Sequence, residues 1–105
     1  MVITNPWHRL YNPKAIKRIP RKAGAYELGN KYQTVIYIGE TGNLRRRMDE
    51  HVDDPKNDCI RKNARLFRYE IVRAHITRQR VLIKEYKAKH SGKIPPCNIQ
   101  DPSRH

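Results

Sequence analysis

Residues 34–39, Thr-Val-Ile-Tyr-Ile-Gly, are β-branched, aromatic and almost wholly apolar. Such a run fits a pleated surface and carries no helical period, so it reads as a central strand buried on both faces. The next residues are equally directive. Gly39-Glu40-Thr41-Gly42 is a loop, and Asn43 can cap a helix from Leu44 to about Val52. Leu44, Met48 and Val52 recur at i, i+4 and i+8, which turns one stripe of that helix to a core. A strand feeding straight into an amphipathic helix excludes an all-β or all-α chain.

The flanking segments fill in around this unit. Residues 25–28 read as a short strand, and Gly29-Asn30-Lys31 is a turn signal that pairs it with 34–39 as a hairpin. Residues 14–18 read as a helical turn stopped by Pro20. A short helix is expected near 57–63, after Asp53-Asp54-Pro55 ends its predecessor. Residues 66–72 alternate, with Phe67, Tyr69 and Ile71 on the more apolar side, and give a third strand. Thr77 is positioned to cap a last helix over about 78–90, with Val81, Leu82 and Tyr86 as its apolar stripe. The expected architecture is α+β, a three-stranded, mostly antiparallel sheet flanked by helices. One domain is expected, with its core at about 15–100, a lead-in over 1–14 and a tail over 99–105.

Charge narrows the function. The chain of 105 residues has 23 Lys and Arg against 10 acids, a net charge of +13. Six of those acids lie between residues 40 and 58; the rest is a basic body. A surplus of this size in a small domain points to a polyanion, above all nucleic acid, with an anionic membrane surface second. No apolar run approaches the length of a transmembrane helix, and the N-terminus has no apolar stretch of the signal-peptide kind. Cys59 and Cys97 form no CxxC and no disulfide framework, so a reducing cytoplasm is the expected location.

Several side chains could carry chemistry. Tyr26 and Tyr37 share a face if their strands pair, although sheet tyrosines are ordinary core residues too. The helix after the second strand begins beside a Gly-flanked turn, so its N–H groups would favour a phosphate. Arg45, Arg46 and Arg47 stand in its first turn against the helix dipole, a small cost that phosphate contact would explain and a solvated basic face would tolerate. Arg47 and His51 are four apart and share a face. They could bind and protonate a phosphodiester, or simply form an exposed pair. Glu85 is the only acid between 71 and 100, amid Arg78, Lys84, Lys87 and Lys89. It suits a hard divalent cation, or equally an i,i+4 ion pair with Lys89.

Taken in order, Gly24-Ala25-Tyr26, Tyr37-Ile38-Gly39, Asn43 to Arg47, His51, Glu85 and Asn98 after Pro95-Pro96-Cys97 resemble the GIY-YIG nuclease superfamily. The segment 37–51 is most similar to short, UvrC-like, repair-type members. The resemblance implies a metal-dependent endonuclease that hydrolyses DNA phosphodiesters, structure-directed or related to repair and recombination. It implies catalytic roles for Tyr26, Tyr37, Arg47, His51 and Glu85, with Glu85 holding Mg²⁺ or Mn²⁺. Gly39 and Asn98 would support the site, and Arg45, Arg46, Lys31 and Arg78 would contact DNA. Specificity would come from a second copy of the chain or a partner protein. Two departures stand out. Ala25 replaces a branched aliphatic residue. Glu40 stands where UvrC-like members carry a lysine, and Lys31 or another nearby base is the candidate to compensate. The competing expectation is a non-catalytic basic nucleic-acid-binding module that keeps the fold.

Overall fold

The computed structural model describes residues 3–53, 56–99 and 101. The elements run β1 (His8–Arg9), α1 (Pro13–Lys17), β2 (Gly24–Gly29), β3 (Val35–Thr41), α2 (Leu44–Asp53), α3 (Asp58–Asn63), β4 (Leu66–Ile71) and α4 (His75–Lys89). The strands form one antiparallel sheet in the order β1-β4-β2-β3. Asp54 and Pro55, expected to end α2, lie outside the described residues, as does the tail beyond 101.

Three expectations are corrected. The sheet has four strands, because the two-residue β1 pairs His8 with Phe67 and Arg9 with Leu66 at the edge of β4. A pairing this short leaves no alternation to read in sequence. The central strand is β2, buried at all six positions, while β3 is an edge strand. The apolar character of β3 comes from helices on both of its faces rather than from a strand on each side. In β2, two glycines and Glu27 hid the burial; Glu27 is 3% exposed and accepts a 2.7 Å bond from Arg68 Nε. Burial raises the Glu27 pKa, and Arg68 opposes that shift. Finally, α4 begins at His75, not after a Thr77 cap, and buries Leu82 and Ile83 while Val81 is exposed.

Two apolar clusters sandwich the sheet. On one face Tyr26, Leu28 and Phe67 pack against α1, α2 and α3 through Ile16, Leu44, Met48 and Ile60. On the other, Ala25 and Ile38 pack against Leu82 and Ile83 of α4. Asn43 caps α2 as its spacing implies, with its Oδ1 accepting from Arg46 N at 3.1 Å. Cys59 of α3 and Cys97 are bonded to each other as a disulfide. It ties the stretch carrying Asn98 to α3, and Asn57 Nδ2 adds a 2.9 Å bond to Cys97 O. No helix among the described residues is long and apolar enough to cross a membrane.

Candidate active site

The β2–β3 register sets Tyr26 opposite Gly39, and Leu28 opposite Tyr37. Since side chains alternate along a strand, both phenols fall on the α2 face. The Tyr26 ring lies directly across Gly39. A Cβ at 39 would stand 2.5 Å from Tyr26 Oη, so only glycine leaves room for the ring. Helix α2 brings Arg47 and His51 over the same spot, one turn apart.

Tyr26 Oη is the hub. It lies 2.8 Å from His51 Nε2 and accepts from Arg47 Nε at 3.3 Å. Burial pushes the Tyr26 pKa far above its ordinary value, and Tyr37 adds to the rise. Tyr26 therefore stays a phenol and donates to His51. His51 must be neutral to accept. Burial first, and then the Arg47 charge, hold its pKa at about 4, so it is neutral near pH 7. The hydrogen bond to Tyr26 keeps Arg47 firmly protonated. The Tyr26, Tyr37 and His51 rings meet at centroid distances of 5.5–6.0 Å.

Beside this hub is an open hollow of about 350 Å³, walled by Tyr37, Arg47, Glu50, His51, Lys56 and Asn57, with Ile60 and Ile99. Tyr26 itself is 0% exposed and faces no solvent. Tyr37 is half-buried on the wall, so it is the phenol a substrate would meet. Lys56 is hidden in the sequence because it follows a run of acids. It is a second cation on the wall of this hollow, beside Arg47. Glu40 turns to His75, whose Nδ1 is 2.5 Å from its Oε2.

His51 gives a pH signature. Its native pKa, about 4, lies below the ordinary 6.5, so the unfolded chain takes up a proton first as pH falls. The contribution is complete above pH 6.5 and is lost as pH drops through about 4. It amounts to about 3 kcal/mol. Urea unfolding at several pH values should show this loss in wild type, and His51→Gln should flatten it.

Residues 1–89 match a family model described as a domain of unknown function, DUF7508. The chain belongs to that family. No curated protein matches it. Among solved structures, this DUF7508 chain is similar to the GIY-YIG N-terminal endonuclease domain of UvrC from Thermotoga maritima bound to magnesium. That likeness has 25% identity and a TM-score of 0.65, and covers 82% of this chain and 93% of that one. A point mutant of the same domain with its catalytic divalent cation matches at 25% identity and a TM-score of 0.64, over 82% and 93% of the two chains. A second mutant matches at 24% identity and 0.65, over 83% and 93%. The DUF7508 chain is a GIY-YIG-like domain.

The remaining sequence candidates are dispersed. Asn98 sits at the free edge of β3, where its amide mimics a neighbouring strand. Its Oδ1 accepts from Ile38 N and its Nδ2 donates to Ile38 O, both at 2.9 Å. Glu85 does not join the hub. It lines a separate hollow with Glu27, Arg68 and Tyr86, on the α4 face of the sheet. The α4 side chain that does reach the Asn98 corner is Gln79, whose Nε2 donates to Ile38 O at 3.1 Å. Six residues separate Gln79 from Glu85, about 9 Å along the helix axis. Being the lone acid in its stretch identified Glu85; only the docking angle of α4 shows which position faces the corner.

The four basic candidates divide likewise. Arg45 Nε is bonded to Ile19 O at 2.7 Å and pins the α1–β2 connection to α2. The expected open N–H groups at the start of α2 are largely taken, with Leu44 N bonded to Lys22 O and Arg46 N to Asn43. Arg46 is exposed and lies 3.9 Å from Glu50. Arg78 is paired with Glu70. Lys31 stands at the hairpin tip over the Tyr32 ring, outside the Tyr37 hollow.

Proposed function

We propose that this DUF7508 domain is an endonuclease that binds DNA and hydrolyses its phosphodiester bonds in the hollow beside Tyr37. The observation that carries the reading is the saturated Tyr26 hydroxyl, donating to His51 and accepting from Arg47, next to a Tyr37 phenol and Lys56 on an open wall. The likeness to an endonuclease domain and the +13 charge support it. A site of this kind, in a chain resembling repair-type members, makes branched or damaged DNA the substrate to try first.

In this mechanism Tyr26 is a positioning residue. It is buried and fixes Arg47 and His51. Tyr37 orients the attacking water, whose proton leaves to solvent through the open hollow. His51, 5.9 Å away between ring centres, has its Nε2 engaged by the Tyr26 hydroxyl and so holds the wall in place. Arg47 and Lys56 offset the charge that grows on the phosphoryl oxygens. A single hollow cuts one strand, so paired cuts need a second copy or a partner protein.

The divalent cation named with the UvrC domains poses a separate question. Divalent cations of the Mg²⁺ and Mn²⁺ class take hard oxygen donors, typically one or two carboxylates with water and phosphate. The described residues contain no group of three His, Cys, Asp or Glu able to hold a metal ion. Glu85 faces the other hollow, Gln79 is neutral, and Glu50 lies within 3.9 Å of Arg46 and Arg47. The donor set implied by the resemblance is therefore not assembled, and no step above is routed through a metal. This same observation favours a second reading, a nucleic-acid-binding module that keeps the fold without cutting.

End-labelled linear and branched DNA incubated with Mg²⁺, Mn²⁺ or EDTA separates the two. The endonuclease reading expects cleavage, slowed about 10²-fold by Tyr37→Phe. Binding without cleavage in all three conditions overturns it and leaves the module reading standing.

A further inference from the structure

On the same face of the sheet, at the opposite edge, a second hollow of about 220 Å³ opens between α1 and the β1–β4 pair. Its wall carries His8, Arg9, Lys14, Arg18 and Tyr69 and no carboxylate. We propose that it is a second nucleic-acid subsite, which holds a nucleotide of the strand whose scissile phosphate lies beside Tyr37. This rests on the reading that the domain binds nucleic acid.

Charge supports the assignment. Among the described residues, Arg46, Arg47, Arg61, Arg68, Arg78 and Lys87 each lie beside an acid. The side chains of Arg9, Lys14 and Arg18 have no such partner among those residues, and the chain holds no acid between residues 9 and 26. Three cations around one small hollow repel each other, and a phosphate offsets that repulsion. The wall also offers a platform for a base. His8 is exposed, with its ring 5.4 Å from Phe67 and 6.5 Å from half-buried Tyr69. Phe67 and Tyr69 are themselves stacked, 13° from parallel. Aromatic faces flanked by cations are how single strands are held without sequence preference.

Position supports it as well. Tyr26 pairs with Tyr69 across β2 and β4 and with Gly39 across β2 and β3, so Tyr69 and Tyr37 share one face, with buried Tyr26 between them under α1 and α2. A strand that visits both hollows therefore crosses the outer surface of α1 and α2. The segment between the hollows is basic. Ile19 O and Lys22 O are bonded to Arg45 and Leu44, which brings Arg18, Arg21 and Lys22 alongside the start of α2 and hence towards Arg47.

The test uses a fluorescent single strand of about ten nucleotides, within the site sizes such grooves cover. Its affinity is measured at several salt concentrations for wild type and for Arg9→Ala/Arg18→Ala. The subsite predicts about tenfold weaker binding in the double variant and a salt slope shallower by about 1.4, at about 0.7 for each phosphate no longer neutralised. In parallel, an iodouracil-substituted strand is photo-crosslinked to wild type, with Tyr69 or His8 as the expected adducts. This second measurement does not depend on the variant folding. Equal affinity and slope in both proteins, with crosslinks confined to the Tyr37 hollow, would overturn the subsite and leave the proposed function intact. Absence of salt-dependent binding by wild type would overturn both.

Discussion

Arg47→Ala is expected to slow single-turnover cleavage by about 10²–10³-fold, the range for removing one charge-stabilising donor from an active site. Two losses coincide in this variant. Its guanidinium is half-exposed into the hollow, where a phosphoryl oxygen would lie. Its Nε is also the donor that Tyr26 Oη accepts at 3.3 Å, so removal frees the buried phenol to turn away from His51. Arg47→Lys should recover little of the rate. An ammonium keeps the charge but cannot hold a phenol with one edge and present a planar fork with the other. Binding of the labelled strand should change only severalfold, because the variant gives up one phosphate partner among many. If Arg47→Ala cuts as fast as wild type, the chemistry lies elsewhere and the hub around Tyr26 is only core packing.

The parts of this site that sequence exposes are those set by local periodicity. Tyr26 and Tyr37 lie on strands joined by a short hairpin, so pairing alone puts them on one face. Arg47 and His51 lie one helical turn apart, so α2 alone aligns them. Asn43 announces the helix start by chemistry that reaches only three residues. The failures all involve long-range placement. Nothing local shows that 8–9 will pair with a strand about sixty positions later, or that the apolar run at 34–39 ends up at an edge. The disulfide escaped for the same reason. Cys59 and Cys97 are 38 residues apart, and only the return of the chain across β3 brings them together.

Which α4 side chain faces the Asn98 corner is the most informative of these placements, and a single substitution tests it. Gln79→Glu is expected to strengthen divalent-cation binding. The side chain at 79 already reaches the Ile38 carbonyl at the corner held by Asn98, one residue from Tyr37. Ile38 O keeps the Asn98 donor when the Gln79 amide is removed, so the backbone is not left unsatisfied. A carboxylate there, completed by water and by phosphate oxygens of a bound strand, has the composition that Mg²⁺ and Mn²⁺ sites use. Titration followed by Mn²⁺ electron paramagnetic resonance, with a bound oligonucleotide, should show at least tenfold tighter binding in Gln79→Glu than in wild type. Glu85→Gln should leave Mn²⁺ binding unchanged, because that carboxylate faces the opposite hollow. The reverse pattern, with affinity reduced in Glu85→Gln and unmoved in Gln79→Glu, would mean that α4 presents Glu85 to the substrate after all. Cleavage in the same two variants then completes the case. If Gln79→Glu gains Mn²⁺ and gains rate, the hub of Tyr26, Tyr37, Arg47 and His51 is a working nuclease site short of one negative charge. If it gains Mn²⁺ without rate, the hub holds a phosphate and does no more.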